Sequence, residues 1–259
     1  VIFERRQYTL RPGRVDDFWA AQRRWNVHEA SAALMDANLS YFSTVAGTTD
    51  QIVHLYRFDS VDHWQESYQR YYAEQVPEYF TSVRPWALAQ ENSLLTTPPM
   101  AGLTDLWTSE PPRLPGGIEP IRAGDGSGLV VTEEATDFFP GGLATYWSAY
   151  GAYREASATV AAEGHLGMLV TMVGPLHRVY AYRAFADADH ALRYEETRRA
   201  DPAWRAFTER YRNEVTGSRT SLLRPSPVPR QRSLFEPAPD RDGTSGTPLP
   251  TVATPGAGR

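Results

Sequence analysis

The sequence predicts an α+β protein: two tandem βαββαβ units, packed sheet to sheet as a barrel-like pseudo-dimer within one chain. Three observations carry this expectation. The chain repeats itself at an offset of 127–128 residues, each copy has the same order of strand-like and helix-like segments, and the copies are joined by a Pro/Gly-rich stretch. The repeat shows in three ordered matches. Pro12-Gly13-Arg14-Val15-Asp16-Asp17-Phe18-Trp19 recurs as Pro140-Gly141-Gly142-Leu143-Ala144-Thr145-Tyr146-Trp147, Gly47 to His63 aligns with Gly174 to His190, and Ser93-Leu94-Leu95 aligns with Ser221-Leu222-Leu223.

Within the first copy, residues 2–10 alternate as a strand does and stop at the turn pair Pro12-Gly13. Val15, Phe18, Trp19, Gln22 and Trp25 then recur at helical spacing, and the helix is expected to run to about Asp36. Leu39 to Ala46 and Gln51 to Phe58 flank Gly47-Thr48-Thr49-Asp50, which reads as a hairpin. Asp59 or Ser60 can cap a second helix carrying Trp64, Tyr68 and Tyr71, and Pro77 interrupts it. In the second copy the matching break is Asp201-Pro202, an N-cap followed by proline at the first helical position. A last strand spans about Glu91 to Thr97.

This order is that of a ferredoxin-like unit, whose open sheet has helices on one face. The bare face needs a partner, and the second copy supplies one. The expected divisions are a first repeat at 1–98, a linker at 99–127, a second repeat at 128–225, and a Pro-rich tail at 226–259. The tail is too poor in apolar residues to form a core, so it is either disordered or an arm on the body, with Leu234 and Phe235 as its contacts.

Composition narrows the chemistry. The 259 residues carry a net charge of -5, with 26 basic residues, all Arg, against 31 acidic ones. No basic block points to nucleic acid, and no apolar run is long enough for a membrane span. Zero Cys removes disulfides, thiolate nucleophiles and sulfur-ligated metals. The absence of Lys removes a Schiff-base cofactor. The Gly124-Asp125-Gly126-Ser127-Gly128 run precedes a strand instead of following one, so it does not fit a dinucleotide loop. Asp240-Arg241-Asp242-Gly243 starts like a calcium loop but lacks the closing Glu. The expectation is a cytoplasmic bacterial protein acting on a small molecule, with homo-oligomerisation left open.

Strand alternation puts Glu4, Arg6 and Tyr8 on one face of the first strand, about 7 Å apart in turn. His54, Tyr56 and Phe58 share a face of the third strand, expected to run beside the first as a parallel neighbour. Glu4, Arg6, Tyr8 and His54 would then converge as catalytic candidates. Trp19, Trp25, Tyr56, Trp64 and Tyr68 would form an aromatic wall around a small-molecule hollow, although aromatics at such spacing are more often core. His28 could face the same hollow. His63 and His190 fit a helix start, and His165 and His177 stand at opposite ends of a strand pair. No zinc spacing occurs. In the second copy Glu4, Arg6, Tyr8 and His54 align with Thr132, Glu134, Thr136 and Ala181, so that repeat is expected to be scaffold.

Glu4-Arg5-Arg6-Gln7-Tyr8-Thr9-Leu10-Arg11-Pro12-Gly13, Ile52-Val53-His54-Leu55-Tyr56 and Asp201-Pro202-Ala203-Trp204 resemble the NIPSNAP family of the dimeric α+β barrel superfamily. The resemblance implies the barrel fold. Relatives in the superfamily include cofactor-free monooxygenases, polyketide cyclases, isomerases and haem proteins, while some family members act as binding partners. The leading expectation is cofactor-free acid–base chemistry on an aromatic or polyketide-like substrate: cyclisation, isomerisation, dehydration or oxygen insertion, as in natural-product biosynthesis. His54 would move a proton, and Tyr8 or Arg6 would hold the developing oxyanion. Two alternatives stand beside it: a haem enzyme with a His axial ligand, and a non-catalytic assembly protein that uses the tail.

Overall fold

The computed structural model describes residues 1–25, 32–73, 77–109, 112–121 and 128–236. The first repeat contains β1 (Ile2–Leu10), α1 (Val15–Trp25), α2 (Ala32–Met35), β2 (Asn38–Ala46), β3 (Gln51–Phe58), α3 (Val61–Ala73), α4 (Pro77–Val83) and β4 (Ala87–Thr96). A short α5 (Asp105–Thr108) lies between the repeats. The second repeat follows as β5 (Val130–Phe138), α6 (Gly142–Ala156), α7 (Ala158–Ala162), β6 (His165–Val173), β7 (Arg178–Phe185), α8 (Ala188–Ala200), α9 (Pro202–Tyr211) and β8 (Val215–Pro225). His28, most of the glycine run and the Asp240–Gly243 segment lie outside the described residues, as does part of the stretch expected to join α1 to Asp36.

The eight strands close into one barrel in the order β1-β3-β2-β8-β5-β7-β6-β4. Read around the closed barrel, β4-β1-β3-β2 is the first repeat's sheet and β8-β5-β7-β6 the second's, and the two join where β2 pairs with β8 and β4 with β6. Closure leaves neither sheet with an unpaired edge. One expectation is corrected: β1 and β3 are antiparallel, with Arg6 opposite His54. The crossover through α1 makes β1 parallel to β2, and the tight hairpin then folds β3 back into the gap between them, which reverses it relative to β1.

Alternation sorts the side chains into two layers. Phe3, Val53, Leu55, Val131, Tyr180, Tyr182 and Leu223 point into the barrel and form its core. Ile2, Ile52, Tyr56 and Phe58 point outward, beneath Phe18, Trp19 and Tyr68 of α1 and α3. Ser60 caps α3 by accepting from the His63 amide at 3.0 Å, and Asp201 caps α9 by accepting from Ala203 at 2.9 Å.

The segments after β4 and β8 pack as arms on the barrel. Trp107 and Phe235, at the same place in the two copies, are 1% and 0% exposed, and both belong to the barrel core. Phe235 meets Phe42 edge to face at 5.9 Å. Trp107 lies against Gly167 so closely that a β-carbon there would sit 3.1 Å from the indole. Beyond 226 the described residues contain only two single 3-10 turns, Pro229–Gln231 and Ser233–Phe235. Through residue 236 the tail is therefore an arm. No helix among the described residues is long and apolar enough to cross a membrane.

Candidate functional site

Cross-strand register builds a polar floor on the helix-covered face of the first-repeat sheet. Tyr41 of β2 lies opposite His54 of β3, His54 opposite Arg6 of β1, and Arg6 opposite Asn92 of β4. Four strands thus present one row of polar side chains on the face covered by helices. Tyr8 stands one pleat along β1 from Arg6, with its ring 5.1 Å from the imidazole.

Glu4 organises one end of this floor. Its carboxylate accepts from Arg6 Nε at 2.7 Å, Trp64 Nε1 at 3.0 Å, Tyr68 Oη at 2.8 Å and Asn92 Nδ2 at 3.1 Å. Four donors saturate a carboxylate. Glu4 is 1% exposed, so the Arg6 charge is matched where both are dry. The Arg6 guanidinium also lies 4.2 Å from the centre of the Tyr68 ring. Its position is thereby held from two sides.

His54 lies at the other end. Its ring stacks on Tyr41 at 3.5 Å with an interplanar angle of 2°, and Phe18 approaches to 6.2 Å. Nδ1 is 3.2 Å from the Tyr56 hydroxyl, which is 2.5 Å from the Tyr41 hydroxyl. Nε2 is buried and has no hydrogen-bond partner. Burial, with the Arg6 charge second, holds the imidazole pKa well below its ordinary value. His54 is therefore neutral at pH 7. Burial likewise raises the pKa of Tyr8, Tyr41 and Tyr56, so these phenols stay protonated and can donate.

The structure brings Glu4, Arg6, Tyr8 and His54 together on one face, as the strand pattern predicts. Tyr56, Trp64 and Tyr68 are in the same layer, where each braces a polar group. Trp19 packs beside Phe18 at 5.1 Å. The Trp25 side chain lies outside the described residues. Sequence reasoning missed Tyr41, Asn92, Gln22 and Tyr79. Counted back from the Gly47–Asp50 turn, the hairpin sets Tyr41 opposite Tyr56, on the face that His54 shares; the observed register is shifted by two residues and sets it opposite His54. Nothing local marks Gln22, which donates to the Tyr79 hydroxyl on α4 and accepts from Gln231 Nε2 of the C-terminal arm.

The second repeat, expected to be scaffold, carries a polar pair of its own on the matching face. The matching row is Met168, Ala181, Glu134 and Thr220. Glu134 stands where Arg6 stands in the first repeat, and Arg198 of α8 donates to it at 2.9 Å. Arg198 also donates to Glu195 at 2.8 Å and lies 4.0 Å from the centre of the Trp204 ring. The cavity left between Glu134, Thr136, Tyr146, Ala181, Arg198 and Trp204 is about 20 Å³, room for a water molecule. The chain's own arginine fills this hollow. Among the described residues no group of three His, Asp or Glu could hold a metal ion.

Two tandem βαββαβ sheets closed into one barrel, with helices covering each outer face, define an α+β barrel protein of the ferredoxin-like class. The NIPSNAP family profile matches residues 3–101 and 138–229, and the chain belongs to that family. No curated protein matches. Among solved structures, the chain is similar to a putative monooxygenase from Fusobacterium nucleatum, with 10% identity, 87% of this chain and 92% of that one covered, and a TM-score of 0.55. An anthrone oxidase-like protein is 13% identical, with 88% and 94% covered and a TM-score of 0.53. A putative monooxygenase from Lactobacillus acidophilus is 11% identical, with 87% and 93% covered and a TM-score of 0.52. At such identities the likeness is one of fold.

Proposed function

We propose that the first-repeat hollow is the active site of a cofactor-free enzyme that ionises a small phenolic or polyketide-like aromatic and passes it to cyclisation, isomerisation, dehydration or reaction with dioxygen. The observation that carries this reading is the Tyr41–His54–Arg6 row: a neutral imidazole with a free, buried Nε2 beside a fixed guanidinium, under an aromatic roof. When Tyr56 donates to Tyr41, Nδ1–H donates to Tyr56 and Nε2 carries the lone pair. Nε2 then takes the substrate proton. Arg6 and the Tyr8 hydroxyl hold the enolate or phenolate oxygen that forms, in a dry site where fixed donors act most strongly. Glu4 accepts from four donors and keeps Arg6 in place, so its part is positioning.

The neighbouring folds described as monooxygenases and as anthrone oxidase-like support dioxygen as one acceptor and anthrone as the probe. Anthrone and one dioxygen give anthraquinone and one water. The methylene loses both hydrogens, and one oxygen atom becomes the new carbonyl. Proton removal is separable from oxidation: without oxygen, the wild type should exchange the anthrone methylene hydrogens with deuterated solvent. His54→Ala should slow that exchange by about 10²–10⁴-fold. Tyr8→Phe, which keeps the ring, should slow it less. The depressed imidazole pKa extends the active range to acid, because the base form persists below pH 6.5. Exchange that survives His54→Ala undiminished overturns the assignment. A Soret band in purified protein that is lost in His54→Ala would favour the haem reading instead.

A further inference from the structure

At the centre of the barrel, away from either hollow, Arg5 of β1 meets Glu133 of β5. Arg5 Nε donates to Oε2 at 2.8 Å and Nη2 to Oε1 at 2.7 Å. The side chains are 1% and 3% exposed, and the Tyr182 hydroxyl donates to the same carboxylate at 2.8 Å. These residues are 128 apart, which is the repeat offset. They are therefore the same position in the two copies. The strand order has matching symmetry, since β1-β3-β2 joined to β8 is repeated as β5-β7-β6 joined to β4. In a two-fold interface a residue on the axis meets its own counterpart. Here the counterparts carry opposite charge.

We infer that the Arg5–Glu133 pair makes the inner face of each repeat a docking surface that accepts the unlike repeat and rejects a copy of itself. Two first repeats paired in the same way would bury guanidinium against guanidinium, and two second repeats carboxylate against carboxylate. Like charges facing each other in a dry interface are a strong element of rejection. The need for rejection is plain. The first repeat leaves the ribosome first, and its inner sheet face is an apolar surface with unpaired edges until the second arrives. Arg5 at its centre keeps two such faces from closing on each other.

The test uses full-length chains unfolded in urea and refolded, read by melting temperature and native mass spectrometry. Arg5→Glu and Glu133→Arg should each lower the melting temperature by about 10 °C. The double exchange Arg5→Glu/Glu133→Arg should recover more than half of the summed loss. Refolded together, Arg5→Glu and Glu133→Arg chains should yield complexes with one chain of each kind, because each then supplies the charge that the other lacks. Neither should do so alone. If the single variants fail to fold, Arg5→Met/Glu133→Leu keeps the test open. It removes the charges without a buried mismatch, so it should refold to monomers mixed with self-associated chains, whereas the wild type refolds to one species. Clean refolding of that variant to monomer, or a double exchange no better than the sum of the singles, overturns the proposal.

Discussion

Mild acid should destabilise this protein, and His54 should account for about half of the effect between pH 7.5 and 5.5. Burial holds the His54 pKa well below its ordinary value, and burial with the Arg183 charge lowers His165 to about 4. An unfolded imidazole titrates near 6.5. Between those limits the unfolded chain binds a proton that the folded chain refuses, so stability is full above pH 6.5 and falls as the pH drops below it. At pH 5.5, one unit below the unfolded pKa, each histidine held neutral in the fold costs on the order of 1 kcal/mol. The pair together should cost about 2–3 kcal/mol. Against the cost of its burial, Glu133 is held below its ordinary pKa by the Arg5 charge, so its contribution is lost only in more acid solution than this window. Urea unfolding at pH 7.5 and 5.5 reads the difference directly. His54→Gln should lose about half as much stability over this interval as the wild type. An equal loss in both proteins would refute the claim that His54 is held neutral in the fold.

Three further outcomes follow from packing. Phe235→Ala empties a place sealed inside the barrel and should cost about 3–5 kcal/mol in chemical denaturation, whereas a residue of a loose tail would cost under about 0.5. Glu4→Gln leaves the buried Arg6 charge without its carboxylate and should cost about 3–5 kcal/mol by the same measurement. Gly164→Ala adds a β-carbon 2.6 Å from the Ala184 carbonyl, at a backbone φ of +63°, and should lower stability by about 1–3 kcal/mol. A Gly164→Ala protein that unfolds with the wild type would mean the turn relaxes freely.

The elements were largely legible because their signals are local. β1 spans the alternating run at 2–10, and the hairpin strands flank Gly47–Asp50 as their turn chemistry requires. Strand parity placed Glu4, Arg6, Tyr8 and His54 on a common face, and the one-residue slip in the repeat is real: Arg6 opposite His54 becomes Glu134 opposite Ala181. The relative direction of β1 and β3 did not follow from parity, because parity is blind to strand polarity. The tail was half legible, since Leu234 and Phe235 stood out as the contacts of an arm. The linker was not, because its prolines advertise a loop and a single Trp107 gives no periodic signal, although it fills a core position.

By itself the sequence determined the two repeats, their βαββαβ order, the family and which face of each strand carries the polar residues, since all of these depend on neighbours in the chain. Tertiary structure decided what those residues do. Glu4 became a saturated anchor because Trp64, Tyr68 and Asn92 arrive from a helix and another strand. The second hollow was filled by Arg198 because α8 brings a charge 64 positions away onto Glu134. Closure of the barrel also set Arg5 against Glu133. Such meetings depend on sheet register and helix docking, which are settled by burial summed over the whole domain, and no short stretch of chain contains that sum.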